Sequence, residues 1–103
     1  MSASKREAVA LSAPISQALL LTKVVPVYPP LARQARIQGE VVLDAIISRD
    51  GTVERLTALS GHPMLVPAAI DAVKQWRYKP YVVDGKPVPI ETHVTVNFSL
   101  VKD

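Results

Sequence analysis

Hydrophobic and polar positions follow two rhythms along this chain, and the rhythm changes where proline and glycine intervene. Within residues 61–80, Leu65, Ala69, Ala72, Val73 and Trp76 share one stripe of a 3.6-residue helix. Val66 and Ile70 widen the stripe, while Asp71, Lys74 and Gln75 lie opposite. Pro67 suits a first helical turn, so the regular helix is expected from about Val66, with Pro80 ending it. Elsewhere the period is two. Val41, Leu43, Ala45 and Ile47 oppose Glu40, Asp44 and Ser48. Ile90, Thr92, Val94, Val96, Phe98 and Leu100 oppose Glu91, His93, Thr95, Asn97 and Ser99. Arg49-Asp50-Gly51 is a hairpin signal, and the return strand over residues 52–60 has Val53, Leu56 and Ala58 inward. The broken alternation between Val53 and Leu56 places a bulge near Glu54-Arg55.

The remaining segments are less regular. Residues 1 to about 12 read as a loose tail, and residues 15–21 as either a short helix or an edge segment. Residues 23–30 are extended, because residues before proline avoid helical geometry. Pro30 opens a short helix over residues 31–37, with Leu31, Ala35 and Ala32 inward, Arg33 and Arg36 outward, and Gly39 ending it. Residues 78–83 are extended and Asp84-Gly85-Lys86-Pro87 forms a turn.

Together these elements predict an α+β, two-layer sandwich. A three-stranded antiparallel sheet in spatial order 2-1-3 carries two helices on one face, as a β-β-α-β core preceded by a short helix. The polar outer face of the last strand favours the antiparallel choice, since parallel strands are usually covered on both sides. Residues 1–22 are expected to be a tail or linker, packed in part from about residue 15, and residues 23–103 the domain.

Composition narrows the function. The 103 residues suit one domain, and 49% hydrophobic with 20% charged residues is a globular balance. A net charge of +3 is too mild to argue for nucleic acid, and Arg33, Arg36, Lys74, Arg77 and Lys79 read as the solvated faces of two helices. With no cysteine there is neither a disulfide framework nor thiolate chemistry. The apolar run over residues 18–21 is far too short to span a bilayer, and residues 1–7 do not resemble a signal peptide. His62 and His93 have no ligand spacing around them, so no metal or other cofactor is expected. Ser48, Ser60 and Ser99 lack a nucleophile context, and Asp44, Asp50 and Glu54 read as strand and turn carboxylates. Catalysis is not expected.

One edge is informative. In the 2-1-3 order the last strand is terminal, and residues 92–98 contain no proline, lysine or glycine to blunt it. Three readings stay open: an edge capped by residues 15–27, an edge paired with a second copy, or an edge that accepts a peptide strand.

The chain resembles the C-terminal domain of TonB-type energy transducers of Gram-negative bacteria. The resemblance rests on Tyr28-Pro29, Ala32, Arg36-Ile37-Gln38-Gly39 and Asp50-Gly51-Thr52-Val53. It continues through Ser60-Gly61, Ala68-Ala69, Val73, Trp76-Arg77-Tyr78-Lys79-Pro80 and Phe98-Ser99-Leu100. The resemblance implies a periplasmic domain that binds the TonB box of outer-membrane receptors by strand addition along the last strand. It also implies a motor complex of the ExbB–ExbD kind, reached through an inner-membrane anchor in a missing N-terminal part. Carried over by position, the docking edge is His93, Val94, Thr95, Val96 and Asn97, helped by Lys23, Val24, Val25 and Val27. Polar residues precede the Tyr-Pro step in well-known members, whereas Val24, Val25 and Val27 stand here. Trp76, Tyr28 and Tyr78 read as scaffold. The alternative reading is a dimerisation module that uses the same edge.

Overall fold

The computed structural model of the chain describes residues 8–100. Strand β1 (Val9–Ala10) leads into helix α1 (Ala13–Ala18) and a short strand β2 (Leu20–Thr22). An extended stretch then reaches α2 (Pro30–Gln34). The hairpin of β3 (Gly39–Ile47) and β4 (Val53–Ser60) is followed by α3 (Val66–Val73). Short strands β5 (Arg77–Tyr78), β6 (Tyr81–Val83) and β7 (Lys86–Val88) precede β8 (Ile90–Phe98).

The three long strands lie in the order β4-β3-β8, each antiparallel to its neighbour. Pairing of β3 with β8 is unbroken from Gly39↔Phe98 to Ile47↔Ile90. The sheet differs from expectation in having a fourth strand. Val9 and Ala10, expected in a loose tail, pair in parallel with Ile90 and Glu91, so the sheet is mixed. Two residues are too few for a period to register in the sequence. The ambiguous segment that follows is both things in turn: a helix to Ala18, then β2, which pairs with β5.

Alternation sets the core, although on β3 Asp44 and Ile46, expected on the opposite face, are buried as well. Val41, Leu43, Ala45 and Ile47 from β3 are buried with Ile90, Val94, Val96 and Phe98 from β8. Leu65, Ala69 and Val73 from the α3 stripe and Ala32 from α2 close over them. Leu65, Val73 and Trp76, all buried, each contribute about 1.5–3 kcal/mol by leaving water. The bulge falls where the alternation broke: Ile46 faces Arg55 while Ile47 faces Val53, leaving Glu54 as the extra residue. A second slip leaves Leu59 unmatched, and Ala58, expected inward, is exposed.

Helix α2 turns the other way round from expectation. Ala32 is fully buried, whereas Leu31 is 67% exposed and Ala35 is also outside. A helix of five residues turns only one position squarely inward, and the small side chain lets its backbone approach the sheet. Its end is also earlier than Gly39. Arg36 takes the left-handed conformation (φ 58°), with Arg36 N–H donating to Arg33 O and Ile37 N–H to Ala32 O, the paired bonds of a Schellman stop.

Helix α3 likewise ends well before Pro80. Gln75 and Trp76 tighten the last turn by donating to Ala72 and Val73 carbonyls. The chain then straightens, because Tyr78 must donate to Gly51 O at 2.8 Å while β5 pairs with β2. The later turn is shorter than expected. Asp84 and Gly85 alone, both at positive φ, join Val83 to its partner Lys86, so Lys86 and Pro87 already belong to β7.

Candidate functional site

The outer edge of β8 is built by parity. Leu11 N–H donates to Glu91 O and Val9 N–H to Pro89 O, each at 2.9 Å, so odd-numbered residues turn their backbone polar groups away from β3. The β3–β8 register has no slip, and the same orientation carries through His93, Thr95 and Asn97. Beyond Glu91, no described strand pairs with β8 on this side.

Opposite that edge runs the stretch between β2 and α2. Prolines keep it extended, and Trp76 ties it down: the indole Nε1–H donates to Val24 O at 2.9 Å. Lys23 Nζ lies 5.8 Å from the centre of the same ring, within reach of a cation–π contact. Tyr28 secures the far end. Its hydroxyl donates to Ile37 O, its ring meets Phe98 edge-on at 5.5 Å, and the Arg33 guanidinium lies over it at 5.4 Å.

Two cavities separate the stretch from the edge. One, of about 350 Å³, lies between α1 and β8 and is lined by Ser16, Gln17, Lys23, Trp76, His93 and Thr95 among others. The second, of about 260 Å³, continues along Lys23, Val25, Pro26, Trp76, Thr95 and Asn97. Lys23, Trp76 and Thr95 line both.

The residues expected at the site thus divide. Lys23, Val25, His93, Thr95 and Asn97 border the groove. Val94 and Val96 touch it too, but their side chains are buried and their backbone faces β3. Val24 is half-buried, its carbonyl already held by Trp76. Val27 is exposed and lines neither cavity. Sequence reasoning passed over Ser16 and Gln17 on α1; their signal was only a short segment of undecided type.

Other polar residues have structural work. His62 Nδ1 accepts from Met64 N–H at 3.0 Å, and its carbonyl accepts from Leu65 and Val66 at the start of α3. His93, on the wet face, lies 3.6 Å from the largely buried Asp44 carboxylate. Tyr78, buried under the hairpin turn, has its hydroxyl pKa pushed up to about 12 by loss of solvent. Among the described residues, no group of three or more His, Cys, Asp or Glu is placed to hold a metal ion. No described helix is long and apolar enough to cross a membrane.

The family model for the Gram-negative bacterial TonB protein C-terminal region matches residues 24–100. The chain belongs to this family. It is 34% identical over 85 residues to Protein TonB of Vibrio cholerae, a match covering 81% of this chain and 35% of that protein. Protein TonB of Xanthomonas campestris pv. campestris is 35% identical over 77 residues, 73% of this chain and 34% of the relative. The chain spans about a third of the length of these relatives. Among solved structures, the solution NMR structure of the Pseudomonas aeruginosa TonB CTD superposes with a TM-score of 0.66. That match has 32% sequence identity and covers 82% of this chain and 87% of the other. β1 and α1, with β2, precede the residues that the family model matches.

Proposed function

We propose that this chain is the periplasmic receptor-binding domain of a TonB-type energy transducer. It accepts the TonB box of an outer-membrane receptor as an added strand on β8, opposite the extended stretch from Lys23 to Val27. The observation that carries this reading is the outward-facing backbone of His93, Thr95 and Asn97, bordering a groove rather than another strand. Backbone hydrogen bonds supply the affinity, and the groove beside Trp76 and Lys23 selects side chains. Each bond is worth roughly 0.5–1.5 kcal/mol net, so a short strand binds reversibly, as a cycling force transmitter requires. Force arrives from an ExbB–ExbD-type complex driven by the proton gradient, through an inner-membrane anchor outside this chain. No catalytic step is involved.

The test is a titration with a TonB-box peptide, followed by backbone amide shifts. Shifts should concentrate at His93, Thr95, Asn97 and residues 23–27. Shifts confined to α2 and α3 would overturn the reading. The same edge also suits a second copy of the chain, so sedimentation across concentration belongs beside the titration. A dimer that peptide does not dissociate would favour self-association.

A further inference from the structure

The open part of β8 begins abruptly, because β1 occupies the edge at Ile90 and Glu91. Backbone bonds hold β1 there, among them those donated by Val9 N–H and Leu11 N–H. A side-chain latch reinforces them. Thr92 is the one hydroxyl among the inward residues Ile90, Val94, Val96 and Phe98 of its strand, and it is 2% exposed. Its single hydroxyl proton is shared between two acceptors, Leu11 O and Ser16 Oγ, each at 2.9 Å, and Ser16 is itself 2% exposed. Ser16 Oγ in turn donates to Ala13 O. One buried hydroxyl pair therefore fastens both the exit of β1 and the body of α1 to β8. An apolar residue at position 92 would remove the one donor that reaches both Leu11 O and Ser16 Oγ.

We infer that β1 and α1 form an end stop that fixes the length and register of the docked strand. This rests on strand addition at β8. With Glu91 O engaged by Leu11, a guest finds outward donors and acceptors only at His93, Thr95 and Asn97. At about 3.3 Å per residue, that is room for a strand of roughly five residues. The partner is thus a short extended segment whose chain must leave the edge beside Leu11, Ser12 and Ala13, where a cavity of about 510 Å³ opens between them and Glu91–His93. Thr92 and Ser16 are positioning residues: they set where binding stops without lying on the hydrogen-bonding edge.

Two forms of one TonB-box peptide test this, a five-residue form and a form extended by two residues at each end. Against the unaltered protein, the longer form should bind within about twofold of the shorter, with no amide shift at Glu91 beyond that of the short form. The Val9→Pro, Leu11→Pro variant removes the donors to Pro89 O and Glu91 O while leaving the β3–β8 ladder untouched. There the longer form should gain about fivefold or more, a size set by one or two added backbone bonds, and its shifts should reach Glu91. A second variant keeps β1 in place instead: Ala10→Cys with Glu91→Cys, at paired positions, oxidised to a disulfide. It should bind the short form as the unaltered protein does. Equal gain from lengthening in every protein, or loss of short-peptide binding in the disulfide form, would overturn the end stop while strand addition stands. Absence of β8 shifts in all of them would remove strand addition itself, and the end stop with it.

Discussion

Single residues carry the tightest constraints at the tip of the β3–β4 hairpin. Asp50 Oδ1 accepts from the hydroxyls of Ser48 and Thr52 and from Thr52 N–H, closing the turn with a side chain. Ser48 and then Thr52 bonds hold its carboxyl at about 2, below the usual 3.8. A depressed carboxyl pKa stabilises the fold fully above the unfolded value and loses that contribution as pH falls through the folded one. Urea midpoints should therefore drop between pH 4 and pH 2, and the Asp50→Asn variant should lack that part of the slope. Next to it, Gly51 sits at φ 91°, and a Cβ there would meet Tyr78 O at 1.9 Å. Backbone cannot retreat as a flexible side chain does, because Tyr78 N–H is bonded to Gly51 O. Gly51→Ala should destabilise by about 2–4 kcal/mol in denaturant titration and part the hairpin from β5.

At the level of elements, a position is legible in sequence when one strong period governs it. Residues Leu65, Ala69, Ala72, Val73 and Trp76 form a single stripe, and all five are buried. The inward residues of β3 and β8 follow from alternation in the same way, and the break at Glu54 located a bulge. Among the shortest elements, α2 and β6 were legible as a helix and an extended run, whereas β1 and the division of α1 from β2 escape, because tertiary pairing outweighs their local signal. Val9 and Ala10 become a strand because Pro89 O and Glu91 O receive the N–H groups of Val9 and Leu11. Helix α2 shows the same limit: hydrophobicity ranks Leu31 above Ala32, but proximity to the sheet selects the smaller side chain. The groove was half legible for a related reason, since β8 announces itself by alternation while α1, its far wall, does not. The stop of α2 makes a prediction of its own. Arg36, an exposed L-residue, stands at a left-handed position usually given to glycine, and among the described residues its side chain has no hydrogen-bond or ion-pair partner. Arg36→Gly relieves roughly 1–2 kcal/mol of backbone strain against about 0.5–1 kcal/mol of extra unfolded-state freedom. A net gain of about 0.5–1 kcal/mol should appear as a higher thermal midpoint.

For the whole molecule, the central question is whether β8 separates its two duties by residue parity. Even positions hold the fold, since Val94 and Val96 send side chains into the core and backbone bonds to β3. Odd positions face outward on the edge, and their side chains at His93, Thr95 and Asn97 are exposed. Proline reads this division directly, because it deletes one N–H and is tolerated on an open edge but not inside a sheet. Thr95→Pro should leave the thermal midpoint within a few degrees of the unaltered protein while weakening the TonB-box peptide about 5- to 10-fold. That is the loss of one donor together with some crowding by the ring. Val96→Pro, one residue along, should instead cost about 3 kcal/mol or more of stability by breaking the β3–β8 ladder. If a second copy rather than a peptide occupies the edge, Thr95→Pro should also shift sedimentation towards the monomer, by the same deletion. Equal destabilisation by both prolines would mean that Thr95 already bonds within its own chain, and β8 would then have no free ladder to offer any partner.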